Sequence, residues 1–167
     1  MYMSSTNQNR KTEKQKKRVD LCLVCSAGGH LNNLCLIKPF WEQHDRVWVT
    51  FDRPDSRSAL PGETIYGAYY PSNRSLKALV INTVRAFRII SKERPKVIIS
   101  SGAAPAVPFF YVGKLFGAKL IYIEVIDNYE GLSMSGRICY PVADVFVVQW
   151  KDLTKKYRKA VCFGKIF

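Results

Sequence analysis

The chain has 167 residues, a formal net charge of +13 and 47% hydrophobic residues. That length suits one well-cored domain rather than two of ordinary size, and the apolar content excludes a wholly disordered chain. The charge calls for an anionic partner or surface. No helix-turn-helix, zinc-finger or RNA-binding signature accompanies it, so nucleic acid is not an expected partner.

Residues 1–18 form the expected disordered basic arm: Arg10, Lys11, Lys14, Lys16, Lys17 and Arg18 stand against one acid, Glu13, among polar residues. Such an arm is either a solvated tail or an electrostatic tether to anionic lipid, where each cation contributes about 1 kcal/mol. The apolar run that follows, 19–25, is short and contains Asp20, which fits neither a signal peptide nor a spanning helix. It reads instead as a strand that leads into Ser26-Ala27-Gly28-Gly29-His30 and then a helix over 30–43. A strand, a glycine turn and a helix start direct backbone N–H groups at a phosphate, although any tight turn between strand and helix needs the same glycines. Cys22 and Cys25 have C-x-x-C spacing, but positions i and i+3 of a strand face opposite ways. With Cys35, Cys139 and Cys162 they form an odd set without a disulfide or zinc pattern, so buried reduced thiols and a cytoplasmic compartment are expected.

Further strands are predicted over 46–50, 64–67, 96–100, 119–124 and 144–149, and further helices over 75–93, 105–116, 135–140 and 151–157. Val97-Ile98-Ile99 and Val145-Phe146-Val147-Val148 do not alternate with polar residues, so both faces of those strands should be covered. The fold class is therefore α/β, a Rossmann-like doubly wound parallel sheet spanning 19–167. Ligands of such sheets sit outside the carboxyl ends of the strands. The residues expected there are Ser26, Gly28, Gly29 and His30, then Ser101, Gly102 and Ala103, then Glu124, and finally Gln149 and Trp150. Two glycine-containing turns on one edge point to a phosphate-bearing ligand. The absence of G-x-G-x-x-G and of a Gly-Lys-Ser/Thr sequence argues against NAD and P-loop readings; no cofactor and no metal is expected.

Along 75–93, Leu76, Leu79, Val80, Val84, Phe87 and Ile90 share a helical stripe, flanked by Lys77, Arg85, Arg88, Lys92 and Arg94. The stripe is a core face, a membrane-contacting face, or partly both; Leu79, Arg85, Phe87 and Arg88 are the candidate membrane patch.

Several motifs then occur in order. They are Ser26-Ala27-Gly28-Gly29-His30-Leu31, Ser100-Ser101-Gly102-Ala103-Ala104, Ile123-Glu124, Ser133-Met134-Ser135-Gly136-Arg137, and Ala143-Asp144-Val145-Phe146-Val147-Val148-Gln149-Trp150. Together with Tyr157-Arg158-Lys159-Ala160 and Phe163-Gly164-Lys165-Ile166-Phe167, this set resembles the Alg14 family. It looks most like the family's bacterial capsule and exopolysaccharide branch, the PssD/CpsF-type proteins. The resemblance implies the N-terminal half-domain of a MurG-type GT-B glycosyltransferase. It further implies a small sugar-nucleotide-binding partner subunit (Alg13-like, or PssE- or CpsG-like in bacteria), with no second α/β domain for the nucleotide in this chain. The pair would transfer a sugar from a UDP-sugar to a polyprenyl-diphosphate-linked acceptor at the cytoplasmic membrane face, this chain attaching peripherally. By the same analogy Ser26, Gly28, Gly29, Ser101, Gly102 and Ala103 cradle the diphosphate, and Arg137 meets a phosphate or the partner. His30 or Glu124 is the base of an inverting transfer, and Gln149 and Trp150 meet the partner. The bland roles are a helix-start hydrogen bond for His30, a structural ion pair for Glu124, with Arg137 as its candidate partner, and a solvated loop charge for Arg137. A non-catalytic membrane scaffold that recruits an active partner is the alternative function.

Overall fold

The computed structural model describes residues 18–71 and 75–166, so all but the last residue of the expected basic arm lies outside the described residues. Seven strands, β1 (Leu21–Val24), β2 (Arg46–Phe51), β3 (Ile65–Ala68), β4 (Val97–Ser100), β5 (Lys119–Ile123), β6 (Val145–Val147) and β7 (Ala160–Val161), form one sheet. Their order is β3-β2-β1-β4-β5-β6-β7, and every pairing is parallel. The helices are α1 (Gly29–Leu36), α2 (Lys38–Trp41), α3 (Pro54–Ala59), α4 (Leu76–Glu93), α5 (Ala106–Leu115), α6 (Met134–Cys139) and α7 (Lys151–Lys156).

The expected double cover is visible in how side chains sort along the strands. Cys22 and Val24 of β1 join Val47 and Val49 of β2, Ile98 of β4 and Tyr122 of β5 under α4, α5, α6 and α7. Leu21, Leu23 and Cys25 join Trp48 and Ile99 under α1 and α2. Cys22 and Cys25 thus lie on opposite faces, both fully buried, as the period-two argument requires. Burial pushes both thiols up to about 12.

Three details depart from the sequence reading. The helix expected over 30–43 is two, because Pro39 cannot donate to the preceding turn and the chain restarts after Ile37. Helix α3 and the two-residue β7 have too few periodic residues to register as patterns. The third concerns α4, whose core side is Ala78, Asn82, Ala86, Ile89 and Ile90, while Leu76, Leu79, Val80, Val84 and Phe87 are exposed. Small residues let α4 lie close to its neighbours, and buried Asn82 ties it to the chain beyond β3: its Oδ1 accepts the Tyr69 N–H at 2.7 Å and its Nδ2 donates to the Tyr69 carbonyl. Ser75 caps the helix by accepting the Ala78 N–H, and Arg94, in the left-handed region ahead of Pro95, ends it.

Candidate functional site

The turns after β1 and β4 meet. The His30 Nδ1 lies 2.9 Å from the Ser101 carbonyl oxygen, and the Ser101 hydroxyl donates to the His30 carbonyl at 2.7 Å. A carbonyl only accepts, so Nδ1 carries a proton, and in the neutral imidazole the lone pair is then on Nε2. Gly28 stands at the N-cap of α1 with φ +76°, a conformation that disfavours any side chain, and no side chain caps this helix end. A Cβ on Gly28 or Gly29 would meet nothing within 4 Å, so this backbone is open to close approach. Gly102 is held differently: a Cβ there would lie 2.7 Å from the Tyr122 Oη and 3.2 Å from His30 Cε1. Its N–H donates to the buried Ser100 hydroxyl, and Ala103 follows in the left-handed region at φ +70°.

Glu124, at the carboxyl end of β5, is fully buried. One of its oxygens accepts from the Val125 N–H and Asn128 Nδ2, the other from the Ser133 N–H and Ser133 hydroxyl, all between 2.8 and 3.1 Å. Every donor is neutral and local, so this carboxyl group organises the 125–136 loop and has no oxygen turned to solvent. Arg137 does not pair with it; the Arg137 Nε donates to the Leu132 carbonyl. The Tyr122 hydroxyl continues the network to Ser135 at 2.9 Å and Ser133 at 3.3 Å, and burial together with the Glu124 charge pushes its phenol up. Gln149, expected to face a partner, is buried, with its amide bonded to the Glu124 carbonyl and the Ile166 N–H. Trp150 donates its indole N–H to the Ile126 carbonyl and carries the Lys165 ammonium over its ring. Both residues therefore support loops of this chain.

Two cavities flank the turns, and Ala103 lines both. One, of about 640 Å³, is apolar and runs between Leu76 and Leu79 of α4, Val107 of α5, and Met134 and Ile138 of α6. The other, of about 480 Å³, holds Ser26, Gly28 and His30 opposite Phe51, Arg53, Asp55 and Tyr70. The sequence reading did not single out those last four. Arg53-Pro54-Asp55 directly after the second strand and Tyr69-Tyr70 directly after the third were the available signal, since both fall at the same carboxyl edge. Asp52, between Phe51 and Arg53, is occupied by the Arg57 guanidinium at 2.6 and 2.8 Å.

Leu76, Leu79 and Met134 of the apolar cavity's wall are themselves exposed; beyond them α4 exposes Val80, Val84 and Phe87, and α5, packed against α4, exposes Tyr111 and Leu115. Exposed Lys77 and Arg88 border this ridge. Arg85 leaves it, donating to the Gly67 carbonyl and lying over the Tyr69 ring. No helix among the described residues is long and apolar enough to cross a membrane.

The family described as "Oligosaccharide biosynthesis protein Alg14 like" matches residues 69–166, from the end of the Tyr70 loop through the Glu124 network. The chain belongs to the Alg14-like family. Similar curated relatives include the "UDP-N-acetylglucosamine transferase subunit ALG14" proteins of Eremothecium gossypii and Candida albicans. The first is 34% identical over 106 residues, covering 60% of this chain and 47% of the relative. The second is 27% identical over 180 residues, covering 91% and 81%. The chain thus spans about half the length of the Eremothecium relative. These relatives are eukaryotic and lend nothing to the bacterial capsule branch. Among solved structures, Acinetobacter baumannii MurG superposes with a TM-score of 0.70 at 15% identity, over 86% of this chain and 45% of MurG. At that identity the likeness shows the fold alone: the Alg14-like chain has the Rossmann-like fold of about half of MurG.

Proposed function

We propose that this chain is the acceptor-binding subunit of a two-part glycosyltransferase that uses UDP-N-acetylglucosamine, the donor its relatives are named for. The observation that carries the reading is Ala103, which lines a polar cavity containing His30 on one side and an apolar cavity on the other. A polyprenyl-diphosphate-linked sugar matches that division, with its diphosphate at the Gly28-Gly29 and Gly102-Ala103 turns, its head beside His30, and its tail toward α4. The sugar nucleotide is held by a separate subunit. The exposed ridge of α4 and α5, with Lys77 and Arg88, rests peripherally on the cytoplasmic membrane face where such acceptors are displayed.

In the reaction, the Nε2 lone pair of His30 takes the proton of an acceptor hydroxyl as its oxygen attacks the anomeric carbon of the donor. The glycosidic bond forms, the bond to the UDP oxygen breaks with inversion, and UDP leaves. The Ser101 carbonyl holds the imidazole in this tautomer and orientation. Glu124 is a positioning residue for the 125–136 loop, and Arg137 remains a candidate phosphate contact on that loop. The family description favours lipid-linked oligosaccharide over capsule or exopolysaccharide as the product class.

The test is transfer to a short-chain polyprenyl-diphosphate-sugar from a panel of UDP-sugars, by this chain alone, with its nucleotide-binding partner, and with His30→Ala in the mixture. Product only in the mixture, lost in His30→Ala while the complex stays assembled, is the expected result. Product from this chain alone overturns the two-part reading. Unchanged turnover by His30→Ala removes the base and favours a recruiting scaffold.

A further inference from the structure

The polar cavity holds a set of side chains that the transfer mechanism leaves unused. Tyr70 stands at its edge with 59% of its surface exposed, and its ring is braced edge-on by buried Phe51, the centroids 5.0 Å apart at 65°. Phe51 ends β2 and Tyr70 follows β3, so a rigid sheet edge fixes the ring. The Arg53 guanidinium carbon lies 6.0 Å over the Tyr70 ring, and Arg53 Nε is 3.3 Å from Asp55 Oδ1. Both charged side chains are about half exposed, so their remaining donors and acceptors are open to a ligand.

An exposed aromatic face backed by a second ring, with one guanidinium and one carboxylate beside it, suits a pyranose. The electron-rich face receives the axial C–H bonds of the sugar, while Arg53 donates to ring hydroxyl oxygens and Asp55 accepts from their hydrogens. An inorganic phosphate would use Arg53, and it would be repelled by Asp55 and gain nothing from the ring. A purely apolar ligand would strip water from the Arg53–Asp55 pair and offer its remaining donors and acceptors nothing in return. A volume of about 480 Å³ admits a monosaccharide beside His30, within the range of about 300–1,000 Å³ usual for small-molecule sites.

We infer that Tyr70, with Arg53 and Asp55, forms the subsite that reads the sugar of the acceptor and sets which hexose is accepted. The inference rests on the acceptor-binding reading above and assigns the sugar's recognition to the β2–β3 wing of the sheet. Phe51 takes part only as the brace of Tyr70.

The experiment is saturation-transfer NMR and titration of the full chain with tail-free probes: the 1-diphosphates of glucose, galactose and N-acetylglucosamine, against inorganic pyrophosphate. The expected result is binding of at least one hexose diphosphate about tenfold tighter than pyrophosphate, with saturation strongest on the pyranose C–H protons. Tyr70→Phe keeps that preference. Tyr70→Ala abolishes it with pyrophosphate affinity unchanged, which also shows that the variant is folded. Asp55→Asn, on a half-exposed side chain, gives an independent loss of about threefold or more for the hexose probe alone. Preference retained in both Tyr70→Ala and Asp55→Asn overturns the subsite and leaves the acceptor reading standing, as does a wild-type chain that binds all four probes equally. A wild-type chain that binds none of the four overturns the acceptor reading, and the subsite with it.

Discussion

Gly102 is where backbone strain, packing and the candidate base meet, and Gly102→Ala separates their contributions. The residue sits at φ +111°, a region L side chains rarely adopt, at a cost of about 1–3 kcal/mol. The new methyl would lie 2.7 Å from the Tyr122 Oη, and the ring cannot swing aside because it is stacked on Phe146 at 4.7 Å and edge-on to Phe110 at 5.7 Å. Overpacking of this kind adds about 1–3 kcal/mol. The variant should therefore lose about 3 kcal/mol, or about 6–12 °C in Tm for a domain of this size. Tyr122→Phe deletes the clashing atom and its bond to Ser135, and costs about 1 kcal/mol alone. In the double variant the clash is gone, so the two losses should fall short of additive by about 1–2 kcal/mol. Urea and thermal unfolding of the four proteins measure this coupling. Losses that add to within about 0.5 kcal/mol would refute the contact between the methyl and the phenol. Turnover gives a second reading: the methyl would still lie 3.2 Å from His30 Cε1, so transfer should remain impaired in the stabilised double variant.

Gly29→Ala should change stability by less than about 0.5 kcal/mol, because its methyl meets nothing, yet raise the acceptor KM several-fold if a diphosphate approaches that backbone; initial rates against acceptor concentration decide it. Cys22, Cys25 and Cys139, each pushed up to about 12 by burial, should resist iodoacetamide at pH 8 in the folded protein, while half-buried Cys35 and Cys162 are alkylated; peptide mass mapping distinguishes them. For Asp144, burial raises the carboxyl pKa, but hydrogen bonds from Lys114 and the Leu120 N–H outweigh it, and the net shift is downward. Its stabilisation is thus present above the unfolded value of about 3.9 and lost as pH falls through the lower folded value, so the gap between wild type and Asp144→Asn should be full near pH 6 and close in acid unfolding curves. Lys77→Ala with Arg88→Ala should weaken partitioning onto anionic vesicles by about 30-fold in co-sedimentation at low salt, and hardly at all on neutral ones.

The fold was legible because hydrophobic runs are enough to specify buried parallel strands, and Ser26 to His30 and Ser100 to Ala104 have turn compositions that leave little choice. The convergence of His30 with Ser101 was foreseen as a shared edge, although the reciprocal hydrogen bonds depend on register. Other features were hidden for physical reasons. The exposed stripe of α4 looks like a core face in sequence, because apolar residues at helical spacing read the same whether the fold covers them or leaves them open. Glu124 and Gln149 fall at strand ends where ligand groups belong, and only the loop that closes over them reveals that their polar atoms are consumed inside the chain. Arg53, Asp55 and Tyr70 come together across two neighbouring strand ends, a proximity that no local pattern encodes.

The strand order has a further consequence. Between β1 and β4 the chain reverses its direction of winding, sending α1 to one face of the sheet and α5 to the other. The helices that follow those two strands therefore diverge while their turns stay bonded to each other, and a hollow is left on either side of the joined turns. The place of those hollows thus follows from the strand order rather than from particular side chains, in keeping with a fold shared with MurG at 15% identity. Substitution is then free to change what those hollows hold without having to rebuild them.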